Sequence, residues 1–404
     1  MKVLQISNKV PFPPIDGGAF VIHSLTQGLW DLGHDVHMFA IIPEKLGVVL
    51  SDIPKSYRQK ASFQYIELPL VATWYGALAN LLFSKEPYQL TRFVSKEMAQ
   101  KIAKIVAENN YDVIQLESIY VLPYLEVIRA NTDAPVVLRT QNVESHIWKL
   151  RAKNEHNLLL KWYFSILSKR LERYEFAFSR KVDQIIAITP NDAAHLSQKI
   201  DTCPIKSIPM GVKWPGEKWS IGKEVIFYNL SAMTWFPNVE AMKWFLKEVW
   251  TKFHRVRPDV VFNLAGVGMP GWAYEYKDLG VVVQAKIKSP EAYIRDKTVL
   301  VVPLLSGSGI RVKILEALIN GKMVICSSLA AAGIDHEACP SILIANTPDE
   351  YIQQMTKVLD NPKWLEMNAP IGRRFVETQY SAEKVAKDFV QTYAQIVAQK
   401  GQNR

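Results

Sequence analysis

Three charged side chains stand close together behind a glycine turn. Ser306-Gly307-Ser308-Gly309 is followed by Arg311, Lys313 and Glu316. A turn of Gly and Ser residues that opens a helix exposes free N–H groups at the positive end of the helix dipole, where an anion such as phosphate is favoured. The dipole disfavours cations in a first helical turn, so Arg311 and Lys313 call for an anionic partner there. Glu316 follows Lys313 by three positions and shares its helix face. The pair is open to two readings, a surface ion pair or a diphosphate clamp whose carboxylate accepts hydrogen bonds from vicinal hydroxyls. The second describes a nucleotide-sugar.

Two strands and a helix must position these groups. The apolar run Val299 to Leu305 predicts a buried parallel strand. Val312, Leu315, Leu318 and Ile319 recur at helical spacing, which predicts a helix from Ile310 to Asn320, stopped by Gly321. Lys322 to Ser327 reads as the next strand. The chain begins in the same way: a strand over Lys2–Ser7, a proline-rich loop ending in Gly17 and Gly18, a helix over Ala19–Leu32 and a strand over Asp35–Ile42. Further strands are expected at Tyr111–Leu116, Pro135–Thr140, Gln184–Ile188 and Lys206–Pro209. A second series is expected at Glu224–Leu230, Val260–Ala265, Val281–Gln284 and Ser341–Ala345. In such α/β chains ligands gather at the carboxyl ends of strands. Glu117, Gln141, Asn142, Glu144 and Gly266 stand at such ends. Residues 213–222 have the proline and glycine content of a hinge.

The run Pro303 to Ala317, with Pro13 to Gly18 and Leu32 to Val36, resembles the donor-binding signature and N-terminal loop of family-4 retaining glycosyltransferases. That resemblance implies the GT-B fold, with two doubly wound Rossmann-like domains facing a central cleft and a C-terminal helix crossing back to the N-terminal domain. The domains are expected at 1–212 with 381–404 (acceptor) and at 213–375 (donor). It implies transfer of a sugar from a nucleotide-diphosphate sugar to an acceptor hydroxyl in cell-surface polysaccharide or glycolipid synthesis, with no obligatory metal and no cofactor. Arg311, Lys313 and Gln141 become the expected catalytic residues. Gly17, Gly18, Gly266, Gly307, Ser308, Gly309, Ile310 and Glu316 are expected on the donor, and Glu117, Asn142 and Glu144 on the acceptor side. Relatives place an earlier Glu where Ser308 stands, and a His where Gln141 stands. Gln can donate and accept hydrogen bonds but cannot shuttle a proton. Relatives also carry an Arg and a Lys in the loop matching Ser231 to Asn238, which has neither. Arg311 and Lys313 are the expected replacements.

Composition narrows the classes. The 404 residues suffice for two domains, and 49% hydrophobic with 22% charged residues is ordinary for a globular protein. Three scattered cysteines form no metal pattern and fit a reducing cytoplasm. No signal peptide and no transmembrane helix are expected, since an apolar h-region and a clean span of about 20 apolar residues are not found in this sequence. The net charge of +9 fits phosphorylated substrates, an anionic membrane or nucleic acid. Interleaved acidic residues count against nucleic acid. The apolar-aromatic stretch Leu68 to Phe83 and the basic, aromatic-laced stretch Ser145 to Lys181 read either as ordinary domain helices or as a membrane-facing surface. The expected location is the cytoplasm, with contact at the inner face of the membrane. A nucleotide-sugar epimerase and a non-catalytic nucleotide-sugar-binding module of the same fold are the alternatives. Transfer to any acceptor separates an enzyme from a binding module.

Overall fold

The computed structural model describes residues 1–14, 17–44, 50–213, 224–287, 289–307 and 309–402, without the Glu291 side chain. Ser308 and all but the first residue of the expected hinge lie outside the described residues. The chain divides into two compact units, Met1–Gly211 with Ala382–Arg404, and Val212–Ser381.

Seven parallel strands form the sheet of the first unit: β1 Lys2–Ser7, β2 Asp35–Pro43, β3 Gln64–Leu68, β4 Val113–Glu117, β5 Val136–Thr140, β6 Gln184–Ala187 and β7 Ile205–Ser207, in the order β3-β2-β1-β4-β5-β6-β7. The inner strands β4 and β5 are buried along their whole length, the polar Gln115, Glu117, Arg139 and Thr140 included. β3 was not expected. It lies at the sheet edge and buries only Ile66 and Leu68, so its sequence shows no continuous apolar run.

The second unit has six parallel strands: β8 Phe227–Leu230, β9 Phe262–Ala265, β10 Val281–Gln284, β11 Val299–Val302, β12 Met323–Cys326 and β13 Ile342–Ile344. Their order is β10-β9-β8-β11-β12-β13, the doubly wound arrangement, with its direction reversing between β8 and β11. Loops leaving β8 and β11 therefore run to opposite faces and open a crevice at their carboxyl ends.

Local chemistry explains where expectation and structure part. The basic stretch 145–181 is two helices, Glu144–Asn154 and Leu158–Ser179. Asn157 separates them, its Oδ1 accepting the N–H groups of Leu159 at 3.0 Å and Leu160 at 3.2 Å. The helix that follows the loop after β8 starts at Phe236 and passes through a π-turn over Phe245–Trp250. A helix over Pro362–Gln379 went unread because Pro370 and Gly372 look like breakers. Gly372 is there for space: a Cβ on it would lie 2.6 Å from Ser341 Oγ.

The last helix, Ala382–Gln402, belongs to the first unit. Its stripe Val385, Phe389, Tyr393 and Ile396 is buried with Val3, Leu25, Leu29 and Val137. It packs on the Gly17–Asp31 helix at Gly28, where a Cβ would lie 2.8 Å from Ala386 Cβ and 3.0 Å from Ala382 O. Gly28→Val is expected to lower unfolding stability by roughly 1–3 kcal/mol through overpacking, measured by urea denaturation. An unchanged midpoint would mean that the last helix is not seated there.

Candidate active site

The crevice of the second unit collects the charged groups behind the glycine turn. Gly307 has φ +111° and Gly309 φ +83°, conformations that side chains rarely adopt. A Cβ on Gly307 would lie 2.8 Å from Arg311 Nη2 and 3.2 Å from the Trp235 ring. The bare backbone thus lets the guanidinium and the indole close over the turn. Arg311 immediately precedes the Val312–Ile319 helix, and its Cζ stands 5.3 Å from the Trp235 ring centroid. It is buried, and burial lowers its pKa to about 10.

Lys313, in the first turn of that helix, reaches the loop after β8. Its ammonium donates to Ser231 Oγ and to Asn238 Oδ1, the latter at 3.3 Å. Burial, then the Arg311 charge, lower its pKa to about 8, while Glu316 pulls the other way. Lys313 thus brings its charge to the loop that lacks an Arg or Lys of its own. The same loop touches the one after β9. Gly266 has φ +144°, and a Cβ there would lie 1.8 Å from Ser231 O. Ser306 Oγ donates to Glu240 Oε2 at 2.6 Å. Ile310 and Glu316 are half-buried. Glu316 also raises the pKa of the buried Tyr228 hydroxyl behind it, after burial itself. Two cations held partly out of water, with one carboxylate nearby, form a place where added negative charge is stabilised. Trp235, Asn238 and Glu240 had no signal in the sequence beyond their loop and helix, because their contacts are 66 residues or more away in the chain.

The expected residues of the first unit have different surroundings. Gly17 and Gly18 open the Gly17–Asp31 helix, the first exposed and the second half-buried. Glu117 ends β4 with a side chain at 0% exposure, 3.6 Å from Arg139 Nη1. Gln5 and Gln115 donate to its Oε1, and Tyr393 of the last helix donates to Gln115 Oε1. Burial pushes the Glu117 carboxyl up, and the Arg139 charge with hydrogen bonds from Gln115 and Gln141 oppose it. The acceptor contact expected of Glu117 is corrected here, since a carboxylate sealed inside a polar network offers no surface to a sugar. Gln141 is half-buried beside it, and Asn142 is half-buried on the following turn.

Glu144 opens the Glu144–Asn154 helix and accepts from Tyr120 Oη at 3.0 Å. Burial raises its pKa against the influence of Tyr120 and Lys9. The N-terminus of this helix is capped from a distance by Glu175, which accepts from Glu144 N at 3.0 Å, Ser145 N at 3.3 Å and Ser145 Oγ at 2.6 Å. Burial pushes the Glu175 carboxyl up to about 7. In the sequence Glu175 reads only as one acid in a basic helix.

Both halves of the chain match models of one enzyme class. Residues 15–213 match Glycosyltransferase Family 4, and residues 224–361 match Glycosyl transferases group 1. The chain belongs to the family-4, group-1 glycosyltransferases. This glycosyltransferase is 22% identical over 402 residues to an uncharacterized 44.6 kDa protein in the cps region of Klebsiella pneumoniae, covering 95% of this chain and 97% of that one. Its fold is that of sucrose-phosphate synthase from Thermosynechococcus elongatus (TM-score 0.70, 15% identity, 98% and 100% of the chains covered). A TarM variant of S. aureus, solved with Fondaparinux, alpha-GlcNAc-glycerol and UDP, aligns with a TM-score of 0.67 at 10% identity over 97% and 99% of the chains. These are GT-B proteins, and the two parallel sheets with the returning last helix have that architecture.

The Glu117–Arg139 pair yields a stability test. Glu117→Ala leaves a buried guanidinium without its carboxylate and is expected to cost roughly 3–5 kcal/mol in chemical denaturation. Adding Arg139→Met should recover part of that loss. Simply additive losses would contradict the pairing.

Proposed function

We propose that this glycosyltransferase works with retention, taking a sugar from a nucleotide-diphosphate sugar to an acceptor hydroxyl in polysaccharide or glycolipid synthesis. The observation that carries the reading is the placement of Arg311 and Lys313 in the β8/β11 crevice, with Lys313 on Ser231 and Asn238. UDP in the TarM structure and the cps-region setting of the Klebsiella relative support the donor class and the pathway type. Residues 213–375 are the proposed donor half, and 1–212 with 381–404 the acceptor half.

The proposed chemistry is loss of a diphosphate from the anomeric carbon. The bond from that carbon to the phosphate oxygen breaks, the acceptor oxygen bonds to the carbon, and the acceptor proton leaves on the departing phosphate. Negative charge grows on the diphosphate as this happens. Arg311, Lys313 and the backbone N–H groups of Gly307, Gly309 and Ile310 meet it in a place of low polarity, where preorganised charge is most effective. Glu316 accepts hydrogen bonds from the ribose hydroxyls. Gln141 contributes only hydrogen bonding, because an amide carries no proton to give at neutral pH. With two protein cations on the diphosphate, transfer is expected to proceed in EDTA.

Three measurements bear on this. Glu316→Ala should weaken the nucleotide-sugar while leaving the melting curve in place, and unchanged affinity in the folded variant refutes the ribose role. Arg311→Ala and Lys313→Ala should each weaken the free nucleoside diphosphate by about 1.5–3 kcal/mol, as loss of a charge-assisted hydrogen bond does. The third is pH. Burial lowers the Lys313 pKa to about 8, so the unliganded protein holds the ammonium below that pH and loses it above. A bound diphosphate favours the charged form. Affinity should therefore be full below about 8 and fall by up to about tenfold per pH unit above it. Lys313→Met should flatten that segment of the profile in calorimetric titrations.

A further inference from the structure

The first unit carries an apolar surface and a basic groove side by side. The Trp74–Phe83 helix has no buried residue among its ten. At about 100° per residue, Trp74, Tyr75, Leu78 and Leu82 fall on one stripe. Trp74 is 79% exposed, and Phe83 at the helix end is 87% exposed. Soluble surfaces rarely leave so much aromatic and aliphatic area together.

This helix is fixed to the Leu158–Ser179 helix. Arg170 Nη1 donates to Asn80 O at 3.2 Å, and Arg170 Nη2 to Leu81 O at 2.9 Å. At the other end Tyr88 Oη accepts from Thr73 N at 3.1 Å, and Tyr88 packs against the Ala152, Phe164 and Leu167 cluster, as Trp148 and Tyr163 do. The start of the Leu158–Ser179 helix is itself apolar and open: Leu158 is 80%, Leu159 78% and Trp162 58% exposed. On the helical wheel Lys169 falls among these three, with Lys161 on one flank and Arg170 and Tyr163, which face the Trp74–Phe83 helix, on the other.

The side bearing Lys161 and Lys169 lines a groove of about 690 Å³ against the Glu144–Asn154 helix. Lys149, Lys153, Lys161 and Lys169 line it and are all exposed. Glu172 is the carboxylate among its lining residues, and Lys199 already holds it. Among the described residues no helix is long and apolar enough to cross a membrane.

We propose that this face docks on the surface of an anionic phospholipid bilayer. Trp74, Phe83, Leu158, Leu159 and Trp162 enter the interfacial layer, while Lys149, Lys153, Lys161 and Lys169 hold headgroup phosphates. The argument for a bilayer is the pairing of the two surfaces. Aromatic side chains suit the interface between acyl chains and water, and a lysine groove beside them matches the negative leaflet. Each lysine near the surface contributes about fivefold in partitioning. The inference stands apart from the donor reading, since none of these residues belongs to the second unit.

Co-sedimentation of the full chain with vesicles tests it. The protein should pellet with phosphatidylglycerol–phosphatidylcholine vesicles at low salt, stay in solution with pure phosphatidylcholine vesicles, and be released by added salt, which screens the attraction. Lys149→Glu/Lys153→Glu/Lys161→Glu/Lys169→Glu should reduce partitioning by at least about tenfold. Trp74→Ser/Phe83→Ser/Leu159→Ser should reduce it as well, and circular dichroism melting checks that both variants stay folded. No pelleting with anionic vesicles at low salt overturns the proposal, as does equal pelleting with neutral ones. Wild-type partitioning in the folded lysine variant overturns it too. So does a concentration-dependent dimer, seen by ultracentrifugation without lipid and abolished by the Trp74/Phe83/Leu159 changes, because the face would then join two copies of this chain.

Discussion

Holding two cations out of water at the carboxyl edge of a parallel sheet is the demand that shapes the second unit. Arg311 and Lys313 lose hydration there, and their depressed pKa values record the cost. Several local features exist to make the arrangement possible. Gly307 and Gly309 take positive φ, so that the chain leaves β11 tightly and the Trp235 indole can lie against the guanidinium. Gly266 lets the loop after β9 touch Ser231, and Ser231 with Asn238 then meets the lysine.

The first unit places its buried charge differently. Glu117, Arg139, Gln5, Gln115 and Tyr393 form a closed network beneath the sheet's carboxyl edge. Arg139 also donates to Val21 O at 3.2 Å and faces the Phe389 ring at 5.0 Å. Strands β4 and β5, the first helix and the last helix are thereby joined by polar contacts that tolerate little displacement. Charge here specifies packing. In the second unit two like charges are held near one carboxylate. The difference lies in sign, since Glu117 and Arg139 carry opposite charges, whereas Arg311 and Lys313 share one.

Much of this was legible from residue order. Apolar patterning located twelve of the thirteen strands among the described residues, because parallel strands between helical layers are rich in apolar residues. The glycine turn and the charges after it marked the charged cluster of the second unit. Backbone at positive φ favours Gly, and cations at a helix start are unfavourable unless an anion sits with them. The edge strand Gln64–Leu68 and the proline-containing helix Pro362–Gln379 escaped, the first because one-sided pairing leaves only alternate residues buried, the second because local propensity was overridden by packing.

The sequence by itself determined the class of fold, the family and the stretch that carries the charged cluster, because these depend on local pattern. Only the tertiary structure decided which charges are sealed and which are open. Glu117 and Glu316 each directly follow a leucine, yet one faces Arg139 inside the sheet and the other stands half-buried beside Lys313. Glu175 caps a helix that begins 31 residues before it, and Lys313 reaches a loop 75 and more residues away. Such roles depend on burial and on partners brought together by folding, and no spacing along the chain encodes them.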